Sequence, residues 1–360
     1  MGWGLRSVYN EVRSRLIVQT NYDYRRSVFV SAGARTGSTW VCEIINAGGD
    51  YRFIFEPITL FRMLATKRFQ AVLPAAPVVE GPLRSVTPVG ERPPVNDRLL
   101  YIRPSIQDDE LFALASNVLT GRFRHPATDQ YNYTLRVVFE KRLVKETKSN
   151  LWIRWLYERF PGLKIVLVAR HPIPTLLSRY HDWTERNPEQ RRKDFRELVL
   201  GQPDLVADHL EPLRAVLEGA ESMMEQRIAV WCTEYYVPLR QFAPGEIHVA
   251  FYEDFCDEPQ AAAAALLEFL GEHPHSRALQ RVVGRIQKPS STAKRDATPW
   301  EKAPQRVDPR AQLYKWKDQI SAPNLRAAAA MLSAFGLDRL YSVDDPLPKK
   351  DGLPRVMRAV

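Results

Sequence analysis

The chain has 360 residues, of which 45% are hydrophobic and 26% charged, a composition that is ordinary for a globular protein with a sizeable core. Its 51 basic and 42 acidic residues give a net charge of +9, which favours an anionic ligand or surface such as a phosphate compound, a nucleic acid or an acidic membrane. The basic residues are spread along the chain instead of forming a block, so no dedicated nucleic-acid-binding arm is predicted.

Cysteine number and hydrophobic run length bear on the cellular compartment. The three cysteines are odd in number and far apart, which argues against a disulfide framework or a zinc site and favours a reducing compartment. Residues 1–26 predict a helix or arm without the apolar core of a signal peptide, and no run is long enough to span a bilayer. We therefore expect a cytoplasmic protein without stable membrane insertion.

Residues 27–46 combine an apolar run, a turn of small residues and a helical pattern. Residues 27–31 predict a strand, residues 33–39 (GARTGST) a tight turn, and residues 40–46 a helix. In such a segment, consecutive backbone N–H groups and the positive end of the helix dipole meet at one point. Arg35 adds a full positive charge there. The turn is therefore a candidate phosphate-binding loop, and a purely structural glycine turn is the alternative.

This loop differs from the Walker nucleotide-binding loop at one position. The Walker pattern requires Lys and then Ser or Thr after the second glycine, whereas Gly37 is followed by Ser38 and Thr39. The missing lysine weakens magnesium-dependent phosphoryl transfer, although either hydroxyl could still hold a metal. A nucleotide kinase stays open as an alternative. A second alternative is a module without catalytic activity that binds an anionic glycan or nucleic acid.

A second strand is predicted over residues 51–55, and Glu56-Pro57 follows it directly. In a βαβ unit, the carboxyl end of this strand lies at the same sheet edge as the 33–39 turn. Glu56 is therefore expected near the bound phosphate. A solvated glutamate at a strand end is the alternative.

The chain from 58 to 160 alternates predicted elements with loops. Residues 73–95 are rich in proline and predict a long loop, and residues 98–103 and 135–139 predict strands. Helices are predicted over 108–119 and 151–160. Four basic residues follow the 135–139 segment, namely Lys141, Arg142, Lys145 and Lys148. They form either a solvated face or a phosphate contact.

A buried strand of the parallel type is predicted over residues 164–169, and a fixed cation follows it. Arg170 is placed to bind a phosphate in a bidentate manner at the carboxyl edge of the sheet. A helix is predicted from Ile173, which brings the hydroxyl of Ser178 within reach. His171 is either structural or a proton-transfer residue, since its ordinary pKa suits both states near neutral pH.

The remainder of the chain predicts helices over 228–242, 258–270 and 324–335, and a strand over 246–252. Residues 181–225 predict a helical cap or insertion, and residues 344–360 a loose tail. Residues 285–302 carry serines and cations without periodicity, which predicts either a flap over an anion or a solvated linker.

Two of these segments resemble the nucleotide-binding motifs of PAPS-dependent sulfotransferases, where PAPS is 3′-phosphoadenosine 5′-phosphosulfate. The loop that binds the 5′-phosphosulfate end is matched by Arg35, Thr36, Gly37, Ser38, Thr39 and Trp40. Arginine in place of lysine at the first position resembles the carbohydrate-modifying branch. The 3′-phosphate motif is matched by Arg170, Pro172 and Ser178, but His171 stands where that family usually has Asp or Asn.

The resemblance extends to other positions of the chain. Carbohydrate sulfotransferases often have Glu-Pro at the distance of Glu56-Pro57 from the loop, with the glutamate as catalytic base. Lys145 lies in a segment where the family has a lysine, and residues 251–255 (FYEDF) resemble its strand and acidic turn. A basic loop of the family closes over the nucleotide near positions matched by Lys288, Ser290, Ser291, Lys294 and Arg295.

The resemblance implies a single α/β domain over residues 27–343, with a P-loop-like three-layer fold, a central, mainly parallel sheet and helices on both faces. It implies in-line transfer of a sulfuryl group from PAPS, without a metal, to a hydroxyl on a carbohydrate or small molecule and not on nucleic acid. Arg35 and Glu56 are the implied catalytic residues, and His171, where the chain departs from the family, is a further catalytic candidate on its own chemistry. The Golgi lumen is the alternative compartment if the chain is a trimmed form of an anchored protein.

Overall fold

The computed structural model describes residues 10–58, 99–132, 135–178, 187–272, 276–288 and 308–357. Its strands in chain order are β1 (Val18–Gln19), β2 (Ser27–Ala32), β3 (Tyr51–Phe55), β4 (Val138–Phe139), β5 (Lys141–Glu146), β6 (Lys164–Ala169) and β7 (His248–Phe251). Five strands form the central sheet in the order β3-β5-β2-β6-β7, and β1 pairs separately with β4. Every one of these pairings is parallel.

Helices connect the strands, as parallel neighbours require. Helix bounds are residues 10–16, Ser38–Ile45, Asp109–Leu119, Pro126–Asp129, Ile153–Arg159, Pro172–Ser178, Pro188–Leu200, Pro203–Leu205, Arg214–Glu218, Met223–Gln241, Tyr252–Asp257, Pro259–Leu270, Ser276–Ile286, Pro309–Tyr314, Ala322–Ala334 and Leu353–Val356. Several begin at side-chain caps. Asp108 accepts from the backbone N–H of Leu111, and Ser222 and Glu225 form a reciprocal capping box.

Alternating side chains of the sheet divide the core into two layers. Phe29 and Ile165 face a layer that includes helices Ile153–Arg159 and Met223–Gln241. Val30 of the same sheet faces the other layer, which includes helices Ser38–Ile45, Tyr252–Asp257 and Pro259–Leu270. Because the strands are apolar on both sides, the sheet is buried between helices, as all-parallel sheets are. The predicted three-layer α/β fold with a mainly parallel sheet is confirmed.

The four basic residues after residue 140 do not form the solvated face that was one of the two predictions. Residues 141–146 instead form β5, an inner strand of the central sheet. β5 lies between β2 and β3, and its Arg142 and Lys145 are 0% and 2% exposed. These cations are tolerated inside because other residues of the chain neutralise or hydrogen-bond them. The strand predicted over 135–139 is reduced to the two residues of β4.

Residues 99–103 do not form the predicted strand. Leu99, Leu100 and Ile102 are buried without belonging to any sheet. Their backbone is satisfied by a side chain instead, since the Tyr101 amide donates to Gln202 Oε1 at 2.9 Å and Gln202 Nε2 donates to the Leu99 carbonyl at 2.8 Å. The segment is therefore fixed to the 203–218 helices, which form part of the predicted cap.

Both ends of the described chain pack on the domain. Ser14 in the first helix donates to buried Asp129 at 2.7 Å, so this part of the predicted arm is joined to the core. The predicted loose tail is ordered through residue 357, because Val356 and Met357 are buried at 8% and 7% exposure. The predicted loop 73–95 lies outside the described residues.

Candidate active site at the carboxyl edge of the sheet

The 33–39 loop follows β2 and gives helix Ser38–Ile45 its start. Two residues of the loop have left-handed backbone, Arg35 with φ of 64° and Gly37 with φ of 82°. The Thr36 hydroxyl donates to the Gly33 carbonyl at 2.8 Å and closes the turn. No side chain caps the helix, so the first-turn N–H groups beside Ser38 and Thr39 receive no side-chain acceptor. The loop has the geometry of an anion-binding helix start.

Gly37 is required by close packing as well as by its backbone angle. A Cβ atom added at Gly37 would lie 2.6 Å from Cδ2 of Tyr252, closer than atoms can approach. Tyr252 follows β7 directly, and its ring also contacts Trp40 at a centroid distance of 5.1 Å. The tyrosine ring therefore forms a wall that joins the loop to the end of β7.

Three predicted cofactor-binding residues meet although they are distant in sequence. Arg35 Nε donates to Ser178 Oγ at 2.8 Å, and an Arg170 terminal nitrogen donates to the Arg35 carbonyl at 3.3 Å. The segments that carry them follow β2 and β6, which are neighbours in the sheet. The structure thus brings both predicted phosphate motifs to one place.

The Arg170 guanidinium lies over the Tyr252 ring, 4.4 Å from its centroid. This contact stabilises a cation without neutralising it. Arg170 Nε is buried and has no hydrogen-bond partner among the described residues. A buried guanidinium donor without an acceptor is costly, so the position is suited to an anionic ligand.

Glu56 pairs with a buried lysine at the end of β3. Lys145 Nζ donates to Glu56 Oε1 at 2.5 Å and lies 4.4 Å from the Phe55 ring centroid. In the sheet, Phe55, Lys145 and Val30 form one row across β3, β5 and β2. Lys145 therefore lies between Glu56 and the strand that leads into the phosphate loop.

Backbone strain marks two candidate catalytic residues. Among the described non-glycine residues, only Arg35 and Glu56 have positive φ, 64° and 44° respectively. Such conformations cost about 1–3 kcal/mol each and cluster at functional sites, where the surroundings enforce them. This observation is independent of any sequence motif.

His171 lies inside the core beside the site. It is 1% exposed, its Nε2 is 2.8 Å from the Ser342 carbonyl, and its ring stacks on Trp316 at 4.8 Å. Burial lowers the pKa of His171 to about 4, so the ring is neutral at neutral pH. The Ile173 backbone N–H donates to His171 Nδ1 at 3.3 Å. With one ring face stacked on Trp316 and both ring nitrogens bonded within the protein, His171 is placed to support its neighbours and not to reach a substrate.

Sequence reasoning gave no role to Glu253, which is 1% exposed. Its carboxylate accepts from the His171 backbone N–H at 2.8 Å and from the Tyr341 hydroxyl at 2.9 Å. Desolvation raises the pKa of Glu253 to about 7. Because His171 follows Arg170, Glu253 fixes the backbone that carries the guanidinium. Its position after β7, at the ligand-binding edge, was the available signal for both it and Tyr252.

The predicted flap is only partly described. Ser290, Ser291, Lys294 and Arg295 lie outside the described residues. The backbone before them is attached to the loop helix, since Trp40 Nε1 donates to the Lys288 carbonyl at 3.1 Å. An ion pair between Arg285 and Glu43 joins the same two segments. Residue 288 therefore lies beside the helix that follows the phosphate loop.

Metal-binding clusters and membrane-spanning helices are both absent from the described residues. No cluster of three histidine, cysteine, aspartate or glutamate side chains in them could hold a metal ion. In the same part of the chain, no helix has the length and apolarity needed to cross a bilayer.

Comparisons with known proteins identify the family. The profile of the sulfotransferase family matches residues 27–275, and no curated protein sequence matches the chain. Among solved structures, retinol dehydratase with androsterone and inactive cofactor PAP has 14% identity, covering 89% of this chain and 82% of its own, with a TM-score of 0.39. The sulfotransferase domain from the curacin biosynthetic pathway has 14% identity, 89% and 99% coverage and a TM-score of 0.40. A Mycobacterium avium sulfotransferase has 11% identity, 94% and 81% coverage and a TM-score of 0.39. Because the profile covers more than half of the sequence, the chain belongs to the sulfotransferase family.

Proposed function

We propose that the protein transfers a sulfuryl group from PAPS to an acceptor hydroxyl. The observation that carries this proposal is the convergence of Arg35, Ser178 and Arg170, with a buried Arg170 donor that has no acceptor among the described residues. PAPS carries a phosphate at each end of its ribose and supplies the sulfuryl group. The 33–39 loop would hold the 5′ end, and Arg170 with Ser178 the 3′-phosphate, which distinguishes PAPS from other adenine nucleotides.

Glu56 is the proposed general base. Its strained backbone directs the carboxylate from the end of β3, and the bond from Lys145 fixes that carboxylate. Glu56 accepts the proton of the acceptor hydroxyl as the oxygen attacks sulfur in line with the leaving phosphate. His171 takes no part in this scheme, because its ring is enclosed by Trp316 and Ser342.

The phosphate loop stabilises the leaving group. Arg35 and the N–H groups at the start of helix Ser38–Ile45 are placed for negative charge that grows on the 5′-phosphate as the sulfur–oxygen bond breaks. By analogy with phosphoryl transfer, positioning and charge neutralisation supply most of the catalysis. The proposed acceptor is a hydroxyl of a carbohydrate or glycoconjugate, which is supported by the Glu56-Pro57 pattern; a small-molecule alcohol is the other candidate.

The test measures PAP released from PAPS in the presence of a panel of carbohydrate, steroid and polyketide alcohols. We expect release that depends on an acceptor, and a loss of about 100-fold or more in Glu56→Gln. Glu189→Gln, a change at an exposed glutamate on helix Pro188–Leu200, is the matched control and should retain activity. Turnover of ATP with Mg²⁺ but not of PAPS would instead favour a kinase. Salt-sensitive nucleic-acid binding without turnover would favour a binding module.

A further inference from the structure

In the helix at residues 10–16, two polar side chains face the protein, whereas its two apolar side chains face outward. Ser14 is 5% exposed and donates to Asp129, and Arg13 is 7% exposed and donates to the Arg136 carbonyl at 3.2 Å. Val12 and Leu16 lie one turn apart on the opposite face and are 51% and 57% exposed. A helix that packs on a core normally shows the reverse arrangement.

The exposed apolar surface continues onto the small sheet. Val18 of β1 and Val138 of β4 are directly paired, and each is 47% exposed. Leu135, three residues before Val138, is 97% exposed. We call Val12, Leu16, Val18, Leu135 and Val138 the amino-edge strip. Groups of exposed apolar side chains on neighbouring segments mark interaction sites more often than single ones do.

Exposed basic residues neighbour members of the strip in sequence. Arg15 directly precedes Leu16, and Arg136 directly follows Leu135. Residues 10–26 and 121–141 together contain eight arginines and lysines against four acidic residues, and Arg13, described above, is the buried one of the eight. Arg15 has a side chain that is 78% exposed, Arg25 61% and Arg136 47%. Their ion pairs with acidic neighbours are exposed to water and contribute little, so the cations stay available to a stronger anionic partner.

We propose that the amino-edge strip and its basic rim bind the surface of an anionic membrane. Apolar side chains entering the headgroup region and cations contacting acidic lipids are the two components of peripheral membrane binding. A second copy of the chain fits less well, because a symmetric contact through the strip would bring two basic rims together. The partner is therefore a lipid surface with excess negative charge.

The surface is at the opposite end of the sheet from the candidate active site. β1 precedes the amino end of β2, and β4 leads into the amino end of β5, whereas Arg35, Glu56 and Arg170 all follow carboxyl ends. A bilayer bound at the amino edge therefore leaves the active site open. Membrane binding through the strip does not require the proposed reaction, and it would place that reaction at a membrane surface.

The experiment is sedimentation of the full-length protein with vesicles of neutral phosphatidylcholine or of phosphatidylcholine with about one third phosphatidylserine, near physiological salt. We expect binding only to the anionic vesicles, and its loss at about 0.5 M salt. The double change Leu16→Gln with Val18→Gln should weaken binding about tenfold or more. Val216→Gln, at an exposed valine of helix Arg214–Glu218, is the control and should bind as the wild type does.

Retained circular dichroism and retained PAP binding show that the double variant folds. The proposal is overturned if the wild type ignores anionic vesicles or if both glutamine variants bind equally well. A concentration-dependent dimer, seen by light scattering and abolished by the double variant, would assign the strip to a second copy. Vesicle binding that appears only after deletion of residues 1–9 would show that this segment covers the strip. That result would also reject a membrane role for the intact chain.

Discussion

The two edges of the central sheet hold arginines in opposite ways. At the amino edge, Arg52 is fully buried and pairs with both Asp129 carboxylate oxygens at 2.9 and 3.1 Å, with further bonds to the carbonyls of Gly121 and Phe123. At the carboxyl edge, Arg170 makes one long bond to a carbonyl and lies over a tyrosine ring, and in the part of the chain that the structure describes its Nε has no acceptor.

This difference separates a structural cation from a ligand-binding cation. Burying a charge is unfavourable unless acceptors surround it, and at Arg52 the chain supplies all of them. At Arg170 the described residues supply a platform and no acceptor for Nε. The amino edge is complete as folded, whereas we propose that an anion completes the carboxyl edge. Changes at the first edge should therefore reduce stability, and changes at the second should reduce binding.

Removal of the amino-edge carboxylate should have the largest effect. Asp129→Ala leaves the Arg52 guanidinium buried without its anion and removes the acceptor of Ser14. We expect a loss of about 3–5 kcal/mol in the free energy of unfolding, measured by urea denaturation. Asp50→Ala, which removes the exposed partner of Arg136, is the control and should change stability by less than about 1 kcal/mol. Equal effects of the two changes would remove the distinction between a buried and an exposed pair.

A change at the phosphate loop should have a smaller effect on stability and a specific effect on binding. Gly37→Ala combines an unfavourable backbone angle with a clash against Tyr252, so we expect a loss of about 2 kcal/mol and weaker PAP binding. Gly245→Ala has a similar φ of 90° with open space around it, and should cost about 1 kcal/mol without altering PAP binding. If both variants bind PAP normally, Tyr252 does not support the site.

The pH dependence of stability should show two opposing groups beside Arg170. Burial lowers the pKa of His171 to about 4, so stability is unaffected by this group above pH 6.5 and decreases as pH falls from 6.5 toward 4, where the unfolded chain takes up the proton first. The raised pKa of Glu253, about 7, destabilises the protein above pH 7, and protonation relieves this as pH falls toward 4.5.

The two effects partly cancel in the wild type between pH 6.5 and 4.5. Glu253→Gln removes the gain in stability that comes from protonation of Glu253. The free energy of unfolding of this variant should therefore fall more steeply with acidification, while it matches or exceeds that of the wild type near pH 7.5. Urea denaturation at pH 7.5, 6 and 5 compares the two slopes. Parallel slopes would show that Glu253 does not titrate in this range.

Apolar runs in the sequence predicted those strands whose buried residues are mainly apolar. β3 and β6 have the predicted bounds, because each contains an uninterrupted apolar run, residues 53–55 and 165–169, and a proline follows each strand closely. β5 was missed, because Arg142 and Lys145 interrupt its apolar pattern. Their side-chain partners are far away in sequence: Glu56, which neutralises Lys145, lies 89 residues before it, and Ser27, which accepts from Arg142, lies 115 residues before it. A single-sequence pattern carries no information about such pairing.

In the candidate site, too, some residues could be predicted from the sequence and others could not. The meeting of Arg35, Arg170 and Ser178 was expected from two motifs placed at strand ends. The Tyr252 wall and the Glu253 support depend on which strand lies beside β6, and the sequence alone did not specify that order. His171 carried a reactive side chain at a suitable position, but its burial against Trp316 depends on a segment 145 residues later.

Calorimetric titration with PAP, ADP and AMP tests the central claim, that the carboxyl edge selects a nucleotide with a 3′-phosphate. We predict that the wild type binds PAP much more tightly than ADP or AMP. Arg170→Ala should lower PAP affinity about 10- to 100-fold, to the level of AMP, with unfolding stability preserved. Arg326→Ala, at an exposed arginine of helix Ala322–Ala334, should bind as the wild type does. Equal affinity for all three nucleotides, or none for any, would contradict the account.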